Sequence, residues 1–129
     1  MTYSRFAGGL SRFDSLLTKV DTQQAATITA GVIAPTKPNG LVGDVLVSCT
    51  PAAAVALTGI TAPATWKGKW IILRNGNATP ATNVVTVTEG ATLIMGSATF
   101  LMNHADDLII FEHTGVADIW RELFRGSNG

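Results

Sequence analysis

Histidine and carboxylate side chains, which coordinate metal ions, gather at one place in the chain. The group consists of His104, Asp106, Asp107, Glu112 and His113. Alternate side chains of a strand point to the same face, so His104 and Asp106 would supply two ligands together. The spacing offers no third ligand at a fixed position, and residues 103–107 fit a polar turn between two strands. We predict this turn, with no metal site and no cofactor.

Two kinds of enzyme can be compared with these residues. A cupin-like metal enzyme needs two nearby histidines on one strand and a third later, whereas His104 and His113 each stand alone. A serine hydrolase needs a Gly-x-Ser-x-Gly turn before a helix, and the nearest fragment, residues 95–99, lacks the second glycine. Cys49 lies in an apolar run without an adjacent base that would lower its pKa. We therefore expect no catalytic residues and no enzymatic activity, with the cupin-like enzyme as the weakest alternative.

Short β-branched runs that end in glycine or asparagine turns dominate the second half of the chain. The clearest predicted strands are residues 69–76, 83–90, 107–112 and 118–124. Further strands are expected at residues 27–33, 44–50, 54–58, 92–95 and 99–102. Strands at a spacing of roughly ten residues predict an all-β fold, and we expect an antiparallel β-sandwich or jelly roll. No internal repeat is clear enough to predict a β-solenoid.

The first 24 residues differ from the rest and form a separate segment in our division of the chain. Ser11 can cap a short helix with one apolar face, which consists of Phe13, Leu16, Leu17 and Val20. Before it lies an extended arm with Tyr3 and Phe6. We expect residues 1–24 to form an arm and an amphipathic helix, and residues 25–129 to form a single β domain.

The charge of the chain is low and balanced. Charged residues make up 14% of the sequence, against a usual fraction of about 25%, and nine basic residues cancel nine acidic ones. No run of one sign would attract nucleic acid or a membrane surface. The longest uncharged stretch, residues 46–65, is interrupted by Pro51 and Pro63, so it is not a transmembrane helix. Low charge with abundant Ala, Thr, Asn and Gly indicates a subunit that buries surface against neighbours.

Residues 66–125 resemble the small β-modules of tailed-bacteriophage virion proteins, especially head decoration (cement) proteins and fibre modules. The similar segments are Gly-Lys-Trp-Ile-Ile-Leu-Arg-Asn-Gly, Asn-Val-Val-Thr-Val-Thr, Asp-Asp-Leu-Ile-Ile-Phe and Ile-Trp-Arg-Glu-Leu. The resemblance implies a structural virion protein, made in the host cytoplasm, that sits on the capsid surface as a homotrimer. There it would clamp neighbouring copies of the major capsid protein. A fibre module would instead bind host glycans or receptors.

The compact length and the absence of a repetitive shaft or heptad stretch favour decoration over a fibre. For contacts with the capsid or a neighbouring subunit we predict the apolar residues of the arm and helix, Tyr3, Phe6, Phe13, Leu16 and Leu17. For the subunit interface we predict Trp66 and Trp120, because tryptophan is enriched at protein interfaces. In a fibre module, Trp66 would be exposed in its loop and could stack on a ligand.

Overall fold

The computed structural model describes residues 24–36 and 45–127. Within these residues lie eleven strands and one 3-10 turn, Ala64–Trp66. The strands are β1 (Gln24–Ala26), β2 (Val32–Ile33), β3 (Val45–Cys49), β4 (Val55–Leu57), β5 (Gly59–Ile60), β6 (Trp70–Asn75), β7 (Val85–Thr88), β8 (Leu93–Ile94), β9 (Thr99–Met102), β10 (Leu108–His113) and β11 (Trp120–Gly126). The predicted all-β class is therefore confirmed for this part of the chain. The predicted arm and helix lie outside the described residues, apart from Gln24.

Most of the strands stack as successive coils of one winding chain. β3 lies between β1 and β6, and both pairings are parallel. β5 is parallel to β2, and β7 is parallel to β4. Paired residues lie 23 to 30 positions apart, from Gln24 with Val47 to Val55 with Val85. A chain that returns in the same direction to the same three sheets forms a short β-solenoid.

The winding direction reverses after the third coil. β9 pairs antiparallel with β7, and β10 pairs antiparallel with β6. β11 then runs antiparallel to β10 and its first two residues pair with β8. One extra residue in β11, Leu123, forms a β-bulge in the ladder with β10. The largest sheet therefore has the order β1-β3-β6-β10-β11-β8, in which β10 alone runs against the other strands.

The prediction of an antiparallel sandwich or jelly roll is wrong, because most of the strands pair in parallel. Among the pairings between described strands, five are parallel and three are antiparallel. Turn residues and the alternation of apolar with polar residues show where a strand lies. They do not show which other strand it pairs with. Partner choice here depends on residues more than twenty positions apart, and a parallel return needs a long connection rather than a hairpin.

The coils are tied together at one corner by a series of hydrogen bonds. Thr58 Oγ1 donates to the carbonyl of Gly31 at 3.2 Å, and Thr92 Oγ1 donates to the carbonyl of Thr58 at 3.0 Å. The backbone N–H of Trp120 then donates to the carbonyl of Thr92 at 2.9 Å. Gly31 has a φ of 82°, and a Cβ there would lie 2.7 Å from Thr58 Oγ1. This close corner splits the predicted strand 27–33 with a turn.

The inward-facing side chains form one continuous apolar core. Trp120 is fully buried in it, and its indole Nε1 donates to the carbonyl of Ile60 at 3.0 Å. The Trp66 ring meets the Trp120 ring edge-on, with 6.3 Å between the ring centroids. Aromatic rings in this arrangement attract each other in addition to burying apolar area. Trp120 therefore joins β5, β8 and β10 to the last strand of the chain.

Asn75 is the polar member of the inward-facing row on β6 and is fully buried. Its side-chain Nδ2 donates to the carbonyls of Asn83 and Met102, both at 2.9 Å. Its Oδ1 accepts a hydrogen bond from the backbone N–H of Asn77 at 3.0 Å. One side chain therefore holds the end of β6, the following loop and the end of β9 together.

Candidate functional site

The outer face of the six-stranded sheet carries a row of large apolar side chains, which we call the outer row. It consists of Leu46, Ile72, Ile110 and Phe124, which are paired in register across β3, β6, β10 and β11. Ile72 and Ile110 form a cluster separate from the core, and the half-buried Leu46, Trp70 and Leu108 pack against them. Phe124 is 52% exposed. The sheet therefore has a second apolar cluster on the face away from the core, in which Ile72 and Ile110 are buried, with 3% and 4% of their surface exposed.

The local sequence explains why both faces of this sheet are apolar. Successive side chains of a strand alternate between its faces. Residues 71–73 are Ile-Ile-Leu and residues 109–111 are Ile-Ile-Phe, so each run places apolar groups on the inner and the outer face. Runs of this kind are typical of strands that are covered on both sides. In the outer row, Phe124 is the large apolar side chain that is left exposed.

Rows that mix polar, charged and apolar residues flank the outer row on both sides. One flank, in register across β6, β10 and β11, consists of Trp70, Glu112 and Arg121. The other flank, across β3, β6 and β10, consists of Ser48, Arg74 and Leu108. Trp70 Nε1 donates to Glu112 Oε2 at 3.0 Å, which fixes the carboxylate beside the indole. An apolar centre with a polar border is the usual composition of a protein interface.

Arg74 lacks an acceptor for one of its donors. Its Nε is buried, and no described residue accepts a hydrogen bond from it. An unsatisfied buried donor is destabilising, and the penalty is larger when the group is charged. Within the described residues, Arg74 Nε is thus a buried donor without an acceptor.

The outer face of the β4-β7-β9 sheet is different. Its central register row consists of Ala56, Thr86 and Leu101. Leu101 is its one large apolar side chain and is 48% exposed, close to the value for Phe124. Leu101 and Phe124 are therefore a matched pair for substitution. Leu101 is isolated, whereas Phe124 belongs to the outer row.

No protein-family model and no curated protein matches the chain. Function is therefore inferred from the chain's own surfaces. None of the described residues forms a helix long and apolar enough to span a membrane.

The two tryptophans predicted at a subunit interface lie inside the subunit. Trp120 has no exposed surface, and Trp66 is 6% exposed. Their side chains pack against each other in the core and have almost no surface to offer to a neighbour. This also removes the exposed Trp66 that a fibre module would use to stack on a ligand. Tyr3, Phe6, Phe13, Leu16 and Leu17, predicted to contact the capsid or a neighbour, lie outside the described residues.

The candidate metal ligands do not gather at one point in the structure, although His104 Nδ1 lies 3.8 Å from Asp106 Oδ2. Asp107 is buried, and its Oδ2 accepts hydrogen bonds from the backbone N–H groups of Asn103 and His104, both at 3.0 Å. His104 Nδ1 accepts the backbone N–H of Asp106 at 3.2 Å, so the predicted polar turn is present. Glu112 lies on the outer face, whereas His113 is buried in the core. Among the described residues, no group of three or more His, Cys, Asp or Glu side chains is placed to hold a metal ion.

Cys49 is enclosed within the core, as expected for a small apolar side chain. Burial raises the pKa of the Cys49 thiol to about 12. The thiol therefore stays protonated at neutral pH, and the thiolate needed for nucleophilic attack does not form.

His113 is the buried titratable group beside Trp120, with 4.9 Å between the two ring centroids. Its Nδ1 accepts the backbone N–H of Gly115 at 3.0 Å, while its buried Nε2 has no hydrogen-bond partner among the described residues. Burial lowers the pKa of His113, and the nearby Ala62 backbone and Asp118 carboxylate oppose that shift. The neutral imidazole is the form that the fold favours.

Replacing His113 with asparagine should remove a pH dependence of stability. An unfolded histidine has a pKa near 6.5. Below that pH the unfolded chain binds a proton that the folded chain does not, so the free energy of unfolding falls as pH decreases. For one proton the slope approaches about 1.4 kcal/mol per pH unit until the lower folded pKa is reached. Urea unfolding at pH 7.5, 6.5 and 5.5 measures this slope.

Asparagine does not titrate, and its Oδ1 can still accept a hydrogen bond from the Gly115 N–H. The free energy of unfolding of His113→Asn should therefore not change with pH across this range. The matched control is His104→Asn on the exposed turn, which should keep the wild-type slope. Equal slopes in the wild type and His113→Asn would contradict the prediction.

An ion pair between Glu122 and Arg125 lies at the interior of the last coil. Glu122 and Arg125 lie on the same side of β11 as the core, and Arg125 Nε is 2.6 Å from Glu122 Oε2. Arg125 also donates to Ser97 Oγ and to the Thr99 carbonyl, and its guanidinium lies 5.1 Å from the centre of the Phe100 ring. The hydrogen bond from Arg125 holds the pKa of Glu122 below its usual value. We call this group the Arg125 cap.

Proposed function

We propose that this chain is a structural virion protein, a capsid decoration protein that binds the assembled head as an oligomer. In this role it stabilises contacts between copies of the major capsid protein. The observation that supports the proposal is the second apolar face of the six-stranded sheet, with Phe124 exposed at one end of the outer row, on a chain with unusually few charges. The similarity of residues 66–125 to virion β-modules indicates the class of particle.

The interior of the subunit is suited to a scaffold. The coils are joined at the corner by the Thr58 and Thr92 hydrogen bonds, and Trp120 joins the last strand to the core. A rigid scaffold holds its surface residues in fixed positions, so little conformational entropy is lost when a partner binds. The described residues therefore favour a protein that acts through binding.

Decoration would stabilise a capsid by thermodynamic linkage. A protein that binds the closed shell and not its separated subunits lowers the free energy of the shell by its own binding free energy. An oligomer that contacts several capsid subunits at once gains effective concentration for each additional contact. Weak contacts of individual subunits then add up to tight binding by the oligomer.

A fibre or spike module that binds host glycans or receptors is the second candidate. The stacked parallel coils favour it, because coils that repeat along one axis produce a rod. The burial of Trp66 weighs against the ligand-stacking site that we expected for this alternative.

Binding to purified phage-type shells without their decoration protein tests the proposal. The wild-type chain should saturate the shells in stoichiometric amounts and raise the temperature at which they open. Phe124→Asp should weaken binding by about tenfold or more, because it places a charge at the most exposed apolar position of the outer row. Co-sedimentation and thermal opening of the shells are the measurements.

Leu101→Asp is the matched control, because Leu101 is about as exposed as Phe124 but lies on the other sheet. It should bind shells as the wild type does. Wild-type chain that ignores the shells would contradict decoration, and binding to host cells would replace it with the fibre function.

A further inference from the structure

The two central residues of the outer row are buried although their side chains point away from the core. Ile72 and Ile110 are only 3% and 4% exposed. The described side chains that pack on them, those of Leu46, Trp70 and Leu108, belong to the same face of the same sheet. Neighbours within one sheet shield a side chain from the sides, whereas burial of its outer end requires a further layer. The burial therefore indicates a cover over β6 and β10.

The covered area ends before the last strand of the outer row. Phe124 on β11 is 52% exposed, although it is in register with the buried Ile110 on β10. In the other direction, the Nε of Arg74 is buried on β6, two residues along the same face from Ile72. The covered area therefore lies between β11 and the edge of the sheet that β1 forms.

Residues 1–23 are the part of the chain best placed to supply this cover. They precede Gln24, where β1 begins at the edge of the same sheet. Gln24 pairs with Val47, one position after Leu46 of the outer row. The last two residues of the chain instead follow β11, at the end of the row where Phe124 stays exposed. The N-terminal segment thus enters the fold beside the covered area.

The predicted helix of this segment has the size and the apolar face that the cover needs. A helix over residues 11–20 is about 15 Å long and about 10 Å wide, so it covers two strands at a spacing of about 4.8 Å. Residues 37–44 contain only two aliphatic side chains, Leu41 and Val42, and must also join β2 to β3. The four apolar residues on one face of the predicted helix are Phe13, Leu16, Leu17 and Val20.

We propose that the N-terminal segment docks on the outer row of its own chain, with the apolar face of its helix on Ile72 and Ile110. The connection from Val20 to Gln24 spans up to about 14 Å. The distance from β1 across β3 to β6 is about 10 Å, so the connection is long enough. A segment held by so short a connection has a high effective concentration at the row and competes well against the same segment of a second copy.

This docking divides the predicted contact residues into two groups. Phe13, Leu16 and Leu17 pack within the chain, whereas Tyr3 and Phe6 precede the helix and are not needed for the docking. The proposal goes beyond the decoration function and does not depend on it. It assigns contacts with other molecules to the arm and to the exposed end of the outer row.

Thiol labelling of the full chain tests the docking. The native Cys49 is buried and protonated at neutral pH, so it reacts little. A thiol introduced by Ile110→Cys should react with a maleimide at least about tenfold more slowly than one introduced by Phe124→Cys, because the cover excludes the reagent. Addition of Leu17→Asp should remove most of this protection, since the apolar contact offers no partner for a buried charge.

Thr18→Asp is the matched control, because it places the same charge on the opposite face of the predicted helix. It should leave the Ile110→Cys thiol protected. The protection should also stay the same over a roughly hundredfold range of protein concentration, because the contact lies within one chain. Circular dichroism establishes that each variant is folded, and Ile72→Cys and Leu17→Ser replace a variant that is not.

Rapid labelling of Ile110→Cys, or protection that persists with Leu17→Asp in a folded chain, would overturn the docking. Protection that appears only at high protein concentration would also overturn it and would make a second copy the cover. A protected thiol in a chain that ignores phage-type shells would overturn decoration but not the docking. Shell binding by a chain whose Ile110→Cys thiol reacts rapidly would overturn the docking but not decoration.

Discussion

Replacing Trp120 with alanine should lower the free energy of unfolding by about 3–5 kcal/mol, the usual cost of removing a large buried aromatic side chain. The indole is fully buried, contacts the rings of Trp66 and His113, and donates to the Ile60 carbonyl. Domains of this size have about 5–15 kcal/mol of stability in total. The variant should therefore unfold at a much lower urea concentration than the wild type.

Trp120→Phe is the matched control, because it keeps an aromatic ring but loses the hydrogen bond to Ile60. Its loss should be smaller than that of alanine. Unfolding measured at two protein concentrations separates a core role from an interface role. A loss of unfolding free energy that changes with protein concentration would place Trp120 at a subunit contact, as we predicted from the sequence. A loss below about 1 kcal/mol would contradict its place in the core.

Asn75→Ala is expected to cost about 2–4 kcal/mol. The substitution leaves the carbonyls of Asn83 and Met102 without the donor they share, and it frees the Asn77 N–H. Buried polar groups without partners cost about 1–3 kcal/mol each, and relaxation of the loop recovers part of the sum. Urea unfolding at pH 7 measures the loss.

Asn75→Asp has almost the same shape and tests the donors alone. A carboxylate keeps the acceptor for Asn77 but points negative oxygens at the two carbonyls. It should be at least as destabilising as alanine at pH 7 and should recover part of the loss in acid, where a protonated carboxyl can donate. An aspartate variant as stable as the wild type would show that the two donated hydrogen bonds do not matter.

The positions of the strands could be read from the sequence, and their pairing could not. The strand predicted at residues 99–102 is β9 to the residue, and the strands predicted at 69–76 and 107–112 coincide with β6 and β10 within one or two positions. These segments are recognised locally, by β-branched runs between turns. Pairing in a solenoid joins residues in different coils, and the loops between coils vary in length. A constant sequence period is therefore absent.

A short repeat does mark two of the coils. Residues 29–35 are Thr-Ala-Gly-Val-Ile-Ala-Pro, and residues 58–63 are Thr-Gly-Ile-Thr-Ala-Pro. These segments stack as β2 and β5, with Ile33 opposite Ile60. The repeat covers only one corner of each coil, and it was too short to indicate a solenoid.

The outer row had a signal in the sequence that we did not use. The runs Ile-Ile-Leu at residues 71–73 and Ile-Ile-Phe at residues 109–111 contain more consecutive apolar residues than a strand with one solvent-exposed face needs. Tryptophan frequency at interfaces pointed instead to Trp66 and Trp120. Residue type alone cannot separate a core tryptophan from an interface one, because both environments favour large apolar rings. The register of the strands makes the distinction, and it requires the fold.

The reversal of the chain after the third coil also limits the length of any assembly. A parallel coil ends in an open edge on which an identical coil, from the same or another chain, can continue the ladder without limit. Here β9 and β10 run against the winding direction, and the Arg125 cap places a charged pair at the interior of the last coil, where a next layer would have to remove its water. Addition of a further coil is therefore disfavoured at this end of the described chain.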